Sequence, residues 1–355
     1  MSVHPALAAW MTLRASAAPR AALVTLLRAD GGSARTLGTH LALIDGGGAV
    51  GSVTVGGCAD GQALRVAAEV LVTGDSRQLT VPLSEEDALA LGLGCAGQVD
   101  LLVERVSLVG DNPSARAFDG ALAATNAGER VALLAPLNGA GGRLLVRGDG
   151  RTEGTAGDAA RDAAGTALGL QLLRGSAGAS GVREQDGERW FVELLEPVRT
   201  LLIVGATEIA ATLCALVVPL GWRAVLLDPR DDVLAQPRFA AASERIPSIP
   251  SAIVSERVAG AGGPAVVVVA HDYRVELPVL RAALRGGAPY VGMLGSRKRG
   301  ATVRAMLLED GLTAEEVARL RNPIGLSIGA EGPAEIAVSI VAELIATWRG
   351  RPAAA

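Results

Sequence analysis

Lysine is almost missing from this chain. Among 355 residues Lys298 is the only one, so arginine carries nearly all the positive charge. Cysteine (3 residues), histidine (3) and aromatic residues (3% of the chain) are scarce as well. Three cysteines at unrelated spacings, with no CxxC pair, argue against a disulfide framework and for reduced thiols in the cytoplasm. With three histidines, none at ligand spacing from a cysteine, zinc is not expected. A formal net charge of −4 gives no reason to expect nucleic acid or an anionic membrane as partner. No apolar run approaches the ~20 residues of a membrane helix. The start, MSVHPALAAWMTLRAS, lacks the charged n-region and unbroken apolar h-region of a signal peptide.

What the chain does have is glycine (45 residues) and a 50% hydrophobic content over a length sufficient for two domains. It also repeats itself. AALVTLL (from Ala21) returns as VALLAPL, THLALIDGGGAVGS as GRLLVRGDGRTEGT, and GQVDLLVERV as ERWFVELLEP. Two copies of a mixed αβ unit are therefore expected between Ala21 and Pro197. The second keeps the apolar frame but lacks the Gly-Gly-Cys of residues 56–58 and the Arg of SAR (Arg35). That loss suggests scaffold in copy two and chemistry in copy one. From Val198 apolar runs of strand length (TLLIVGA, WRAVLLD, PAVVVVAHD, PYVGMLG) alternate with helical periodicity, the pattern of a doubly wound parallel sheet. The expected fold is thus α/β, with residues 1–137 as a first domain, 138–197 as the second partial repeat and connection, and 198–355 as a Rossmann-like domain.

In that last domain LLIVGATEIAATL stands where a Rossmann phosphate loop would, after a first strand and opening a helix. Gly205 is present and Asp228 supplies the acidic residue expected roughly 20 residues on. Arg230 follows within reach of a phosphate. Thr207, however, replaces the second glycine, and its Cβ obstructs close approach of a pyrophosphate. The turn is either a nucleotide site or a strand–helix connection kept for packing. Two more strand ends supply candidates: His271 with Asp272, and Gly295, Ser296 and Arg297, where a Gly-Ser helix start and an arginine suit an anion. The alternative is that these residues cap turns and face solvent.

Cys214 lies on an apolar helix and reads as core. Cys58 and Cys95 each follow glycine at an element boundary, where a helix N-terminus lowers a thiol pKa. Either could equally be a small residue packed in a tight turn.

Together these blocks resemble the xanthine dehydrogenase accessory factors, the XdhC/CoxI family. The resemblance rests on GGSARTLGTHLALIDGGGAVGSVTVGGCADG, GLGCAGQVDLLVE, LLIVGATEIA, VLLDPR, HDY…YVGMLGSRKR and NPIGLSIGAEGPAEIAVSIVAELIA, which span nearly the whole chain. It implies an XdhC/CoxI-like N-terminal domain and a cytoplasmic chaperone of the molybdenum cofactor, as molybdopterin or its cytosine dinucleotide form, rather than an enzyme. The implied protein shelters the cofactor while a cysteine desulfurase sulfurates it, helps insert it into a molybdenum hydroxylase apoenzyme, and is a homodimer. The family's cofactor-binding positions fall on Arg35, Gly56, Gly57, Cys58, Cys95, Asp228, Arg230, His271, Asp272, Gly295, Ser296, Arg297 and Glu335. Gly205 joins them from the phosphate-loop pattern, and the thiolates of Cys58 and Cys95 are candidate molybdenum contacts. A nucleotide is a further ligand that the fold admits. The chain departs from the family at Ala34, Asp60, Thr207, Glu208 and Gly332, and Glu208 puts a carboxylate where the family has histidine. Two other functions compete: an NAD(P)-dependent oxidoreductase with a degenerate Rossmann loop, and a structural partner that has lost ligand binding.

Overall fold

The computed structural model describes residues 4–31, 36–83, 97–138, 142–175, 179–259 and 263–350. They form two compact units that divide between Pro197 and Val198.

The first unit is a duplication. Helix α1 (Ala8–Ala15) precedes strands β1 (Arg20–Gly31), β2 (His40–Ile44) and β3 (Ala49–Gly51). Helix α2 (Asp60–Thr73) and strands β4 (Arg77–Leu83) and β5 (Gly97–Ser107) complete the copy. The second copy runs through α3 (Pro113–Asn126), β6 (Val131–Pro136), β7 (Leu144–Arg147), β8 (Thr152–Gly154), α4 (Ala159–Arg174), β9 (Gly181–Gln185) and β10 (Glu188–Leu195). Each copy forms a five-stranded antiparallel sheet, in the orders β3-β2-β1-β5-β4 and β8-β7-β6-β10-β9. The likeness reaches single residues. Gly51 and Gly154 both have φ near +84°, and a Cβ on either would strike a strand-start carbonyl, that of His40 or Arg143. In both copies an aspartate of the following helix turns back to a backbone N–H. Val53 N donates to Asp60 Oδ1 (3.1 Å) and Ala156 N to Asp162 Oδ1 (2.6 Å).

Inside this unit lies a buried charge cluster. Arg143 is fully buried and donates to Glu104 Oε2 (Nη2, 2.6 Å), Glu193 Oε1 (2.8 Å) and Thr25 Oγ1 (2.8 Å). His40 Nε2 lies 3.5 Å from the same Glu193 oxygen. Phe118 covers the cluster, edge-on to His40 and 5.3 Å from the Arg143 guanidinium.

The second unit carries a six-stranded, all-parallel sheet. Its elements are β11 (Thr200–Val204), α5 (Glu208–Val217), β12 (Arg223–Leu227), α6 (Asp231–Leu234), β13 (Glu244–Ile246), α7 (Pro250–Val258) and β14 (Ala265–Val268). They continue with α8 (Tyr273–Arg285), β15 (Val291–Met293), α9 (Arg297–Glu309), α10 (Ala314–Ala318), β16 (Leu320–Arg321) and α11 (Gly332–Trp348). The strand order β13-β12-β11-β14-β15-β16 is that of a Rossmann fold, with its switch point between β11 and β14. Leu201–Val204 and Ala265–Val268 are buried on both faces, which explains their unbroken apolar runs.

Four strands had no counterpart in the sequence reading: β4, β9, β13 and β16. All four are sheet edges. An edge strand pairs on one side only and is short or polar, so it leaves no apolar run to find.

Candidate functional site

Outside the carboxyl ends of β11, β12 and β14 lies a cleft of about 440 Å³. Its walls bring together Gly205, Asp228, Arg230, His271 and Asp272, with Thr207, Leu227, Pro229, Pro250, Ala270 and Val275. A cleft here is what a switch point creates, because the helices leaving two adjacent strands turn to opposite faces of the sheet.

Gly205 closes β11 with φ +104°, and its N–H donates to Leu227 O at 2.9 Å. A Cβ there would stand 2.8 Å from the backbone nitrogen of Ala270, so glycine is required by the neighbouring strand end. Thr207 is the N-cap of α5, and its Oγ1 accepts from Ala210 N at 3.3 Å. The residue that spoils the glycine pattern therefore secures the helix start.

Asp228, at the end of β12, is buried and fully engaged. Its Oδ2 accepts from Ala206 N (2.8 Å) and Arg230 Nη2 (2.8 Å), and its Oδ1 from Arg230 N (3.0 Å) and Nε (2.8 Å). Burial pushes this carboxyl up, but the donated hydrogen bonds outweigh it and hold the group below the usual carboxylate range. Asp272 is the N-cap of α8, accepting from Arg274 N at 2.9 Å. Arg274 also forks onto its carboxylate and lowers its pKa. His271, just before it, is exposed on the cleft wall.

Gly295, Ser296 and Arg297 follow β15, the next strand of the sheet, and are not among the walls of this cleft. Ser296 caps α9 by accepting from Arg299 N at 3.2 Å, and Arg297 is exposed in the first turn. Asn322 Nδ2 holds the turn by donating to Met293 O and Gly295 O, both at 3.1 Å. The sequence reading missed the arginine that is built in. Arg299 donates to the buried Glu276 (2.6 Å) and lies 4.8 Å over the Tyr273 ring. Burial raises the Glu276 pKa, and Arg299 opposes that rise. The SRKR run offered no means of telling Arg297 from Arg299, since helical phase decides which one turns inward. Glu335 also stands outside the cleft walls, on the surface of α11, with Oε2 accepting from Glu331 N at 2.7 Å.

In the first unit, Cys58 occupies the turn before α2. Gly56 (φ +85°) and Gly57 (φ +75°) shape that turn with left-handed backbone. The thiol is half-buried, with Sγ 3.7 Å from Val55 O. Cys214 differs: it is buried in α5, and burial pushes its thiol up to about 12, which leaves it inert. Arg35 and Cys95 lie outside the described residues. Among the described residues no group of three or more His, Cys, Asp and Glu side chains is placed to hold a metal ion, and no described helix is long and apolar enough to cross a membrane.

Residues 201–344 match the XdhC Rossmann domain, and residues 15–82 match the XdhC and CoxI family. The chain thus carries a domain of the XdhC and CoxI family followed by an XdhC Rossmann domain. Its relatives include a probable xanthine dehydrogenase subunit of Bacillus subtilis, 31% identical over 44% of this chain and 45% of that protein. Another is the "Molybdenum cofactor insertion chaperone PaoD" of Escherichia coli, 36% identical over 22% of this chain and 25% of that protein. The aligned stretches thus span less than half the length of these relatives. A crystal structure described as a xanthine dehydrogenase from Bacillus halodurans has the same fold, with a TM-score of 0.78 over 99% of this chain and 97% of that one at 24% identity.

Proposed function

We propose that this protein is a maturation factor that handles the molybdenum cofactor as cargo, protects it during sulfuration by a cysteine desulfurase, and passes it to a xanthine dehydrogenase-type molybdenum hydroxylase. The observation that carries this reading is the cleft at the switch point of the Rossmann domain. It is sized for a small molecule and has Arg230 and His271 on its walls. The name of the PaoD relative supports the molybdenum cofactor as that cargo. Arg230 and His271 would hold an anionic group of the cofactor, and the thiol of Cys58 is a separate candidate for a soft contact. When bound, the cofactor supplies the redox metal that the client enzyme uses. The protein's own part is to bind, orient and exclude water. A homodimer and a cytoplasmic location belong to the same reading.

Hydride transfer is disfavoured by the same geometry. Thr207 closes the pyrophosphate position, and Asp228 has no oxygen left to accept from a ribose. That internal satisfaction favours one other reading, a structural partner without a ligand. Purification from a cofactor-producing host separates the two. Molybdopterin, measured as its fluorescent oxidation product, should accompany the protein in near-stoichiometric amount. A cofactor-less protein that also leaves hydroxylase activation unchanged in cells lacking it would overturn the maturation role.

A further inference from the structure

We propose that the cleft formed by Gly205, Asp228, Arg230 and His271 is a phosphate-monoester site. It takes a flat heteroaromatic ligand ending in one phosphate and excludes a bridging pyrophosphate. The proposal deepens the maturation reading and rests on it for the identity of the natural ligand.

Three features decide against a pyrophosphate. A Rossmann turn holds that group on the N–H donors of the helix N-terminus, approached through a position without a Cβ. Here Thr207 fills the position on the cleft wall and takes the Ala210 N–H for itself. Glu208, the exposed first residue of α5, adds negative charge where the helix would attract an anion. Asp228, which would bind a ribose diol, already accepts four hydrogen bonds.

The remaining features favour a single terminal phosphate. Among the described cleft walls Arg230 is the only guanidinium and His271 the only imidazole, and they stand at the ends of β12 and β14 rather than at the α5 N-terminus. Arg230 meets Asp228 through Nε and Nη2, its Nη1 donates to no described residue, and its side chain is 59% exposed. The guanidinium is thereby oriented by one anion and still able to fork onto another. The rest of the wall includes Pro229, Pro250, Ala270 and Val275, apolar surfaces against which a flat ring packs. The volume, about 440 Å³, lies toward the small end of the ~300–1,000 Å³ usual for ligand sites.

The test is calorimetric titration of the full chain, freed of copurified cofactor, with three probes: 5′-AMP, the phosphate monoester of 6-hydroxymethylpterin, and ADP-ribose. At least one monoester should bind, and ADP-ribose should bind at least tenfold more weakly than that monoester. Preference between the two monoesters tells the cofactor's own phosphate from a nucleotide. Arg230→Gln should weaken monoester binding about tenfold or more, the scale of one charge-assisted hydrogen bond. The double change Thr207→Gly with Glu208→Gln should raise ADP-ribose affinity, a gain that misfolding would not produce. ADP-ribose binding as tightly as the better monoester, or no monoester binding to a protein with an unaltered melting curve, overturns the proposal. Cofactor content of the freshly purified protein is a separate readout. Monoester binding without copurified cofactor counts against the maturation role alone, and cofactor without monoester binding counts against this cleft alone.

Discussion

Arg143 and His40 stand at equivalent positions in the two repeated sheets, and both side chains reach the same oxygen of Glu193, at 2.8 and 3.5 Å. Each precedes or opens the second strand of its copy. Glu104 and Glu193 are likewise equivalent, lying opposite Leu23 and Leu133 in the two sheets. The duplication therefore brings four charged or titratable side chains to one buried point. Two carboxylates compete there for one guanidinium.

Arg143→Met should be strongly destabilising. The guanidinium is fully buried and bonded to both carboxylates, so its loss strands negative charge in the core, at a cost of about 3–5 kcal/mol. The triple change that adds Glu104→Gln and Glu193→Gln removes that charge and should recover part of the loss. Urea unfolding of the three proteins checks this, and equal midpoints for the single and triple variants would show that buried charge is not the cause.

The same cluster makes stability depend on pH in two opposing ways. Burial, aided by Arg143, depresses His40 to about 3, so the unfolded chain takes up its proton first as pH falls from the ordinary 6.5. The His40 contribution is complete above about 6.5 and is lost as pH falls toward about 3. Burial, with Glu104 adding and Arg143 opposing, pushes Glu193 up to about 7. Its contribution is complete below the ordinary 4.5 and is lost as pH rises toward about 7. Where the two windows overlap, from about 4.5 to 6.5, the opposing slopes largely cancel. Glu193→Gln should leave stability rising with pH between about 3 and 6.5, and His40→Gln should leave it falling between about 4.5 and 7. Each slope should approach 1.4 kcal/mol per pH unit (about one proton). Parallel profiles for both variants and the parent would contradict the assignment.

Gly205→Ala should cost about 1–3 kcal/mol through its positive φ, with more from the Ala270 backbone that the new Cβ would meet. Because Ala270 leads into His271, the same change should disturb the cleft. A thermal melt reads the first effect and ligand titration the second. A variant with parent-like values in both would show that the strand end moves aside without consequence.

Cys58→Ala should fold like the parent, since the thiol is half-buried in a turn and the change is small. On the maturation reading, cofactor retention or client activation should fall. An unchanged melt with both activities intact would leave Cys58 as a packing residue.

The sequence alone determined the features that periodicity governs. Unbroken apolar runs marked the central parallel strands, because burial on both faces leaves no room for alternation. The repeat of DG turns and strand motifs disclosed the duplication, and the residues at the ends of β11, β12 and β14 were found because chain order fixes which residue follows a strand. Tertiary structure decided what those residues do. Asp228 reads in sequence as a ribose acceptor, yet Ala206 N–H and Arg230 occupy it. Thr207 reads as damage and is a cap, and Gly205 answers to the backbone of Ala270 rather than to a ligand. The cluster around Arg143 left only a faint trace, a Val-Glu pair repeated at corresponding places in two strands. Its partners come from four strands, the most distant, Thr25, lying 118 positions from Arg143 in sequence. Such a cluster exists only once two sheets have packed, because what selects it is the cost of burying each charge without the others.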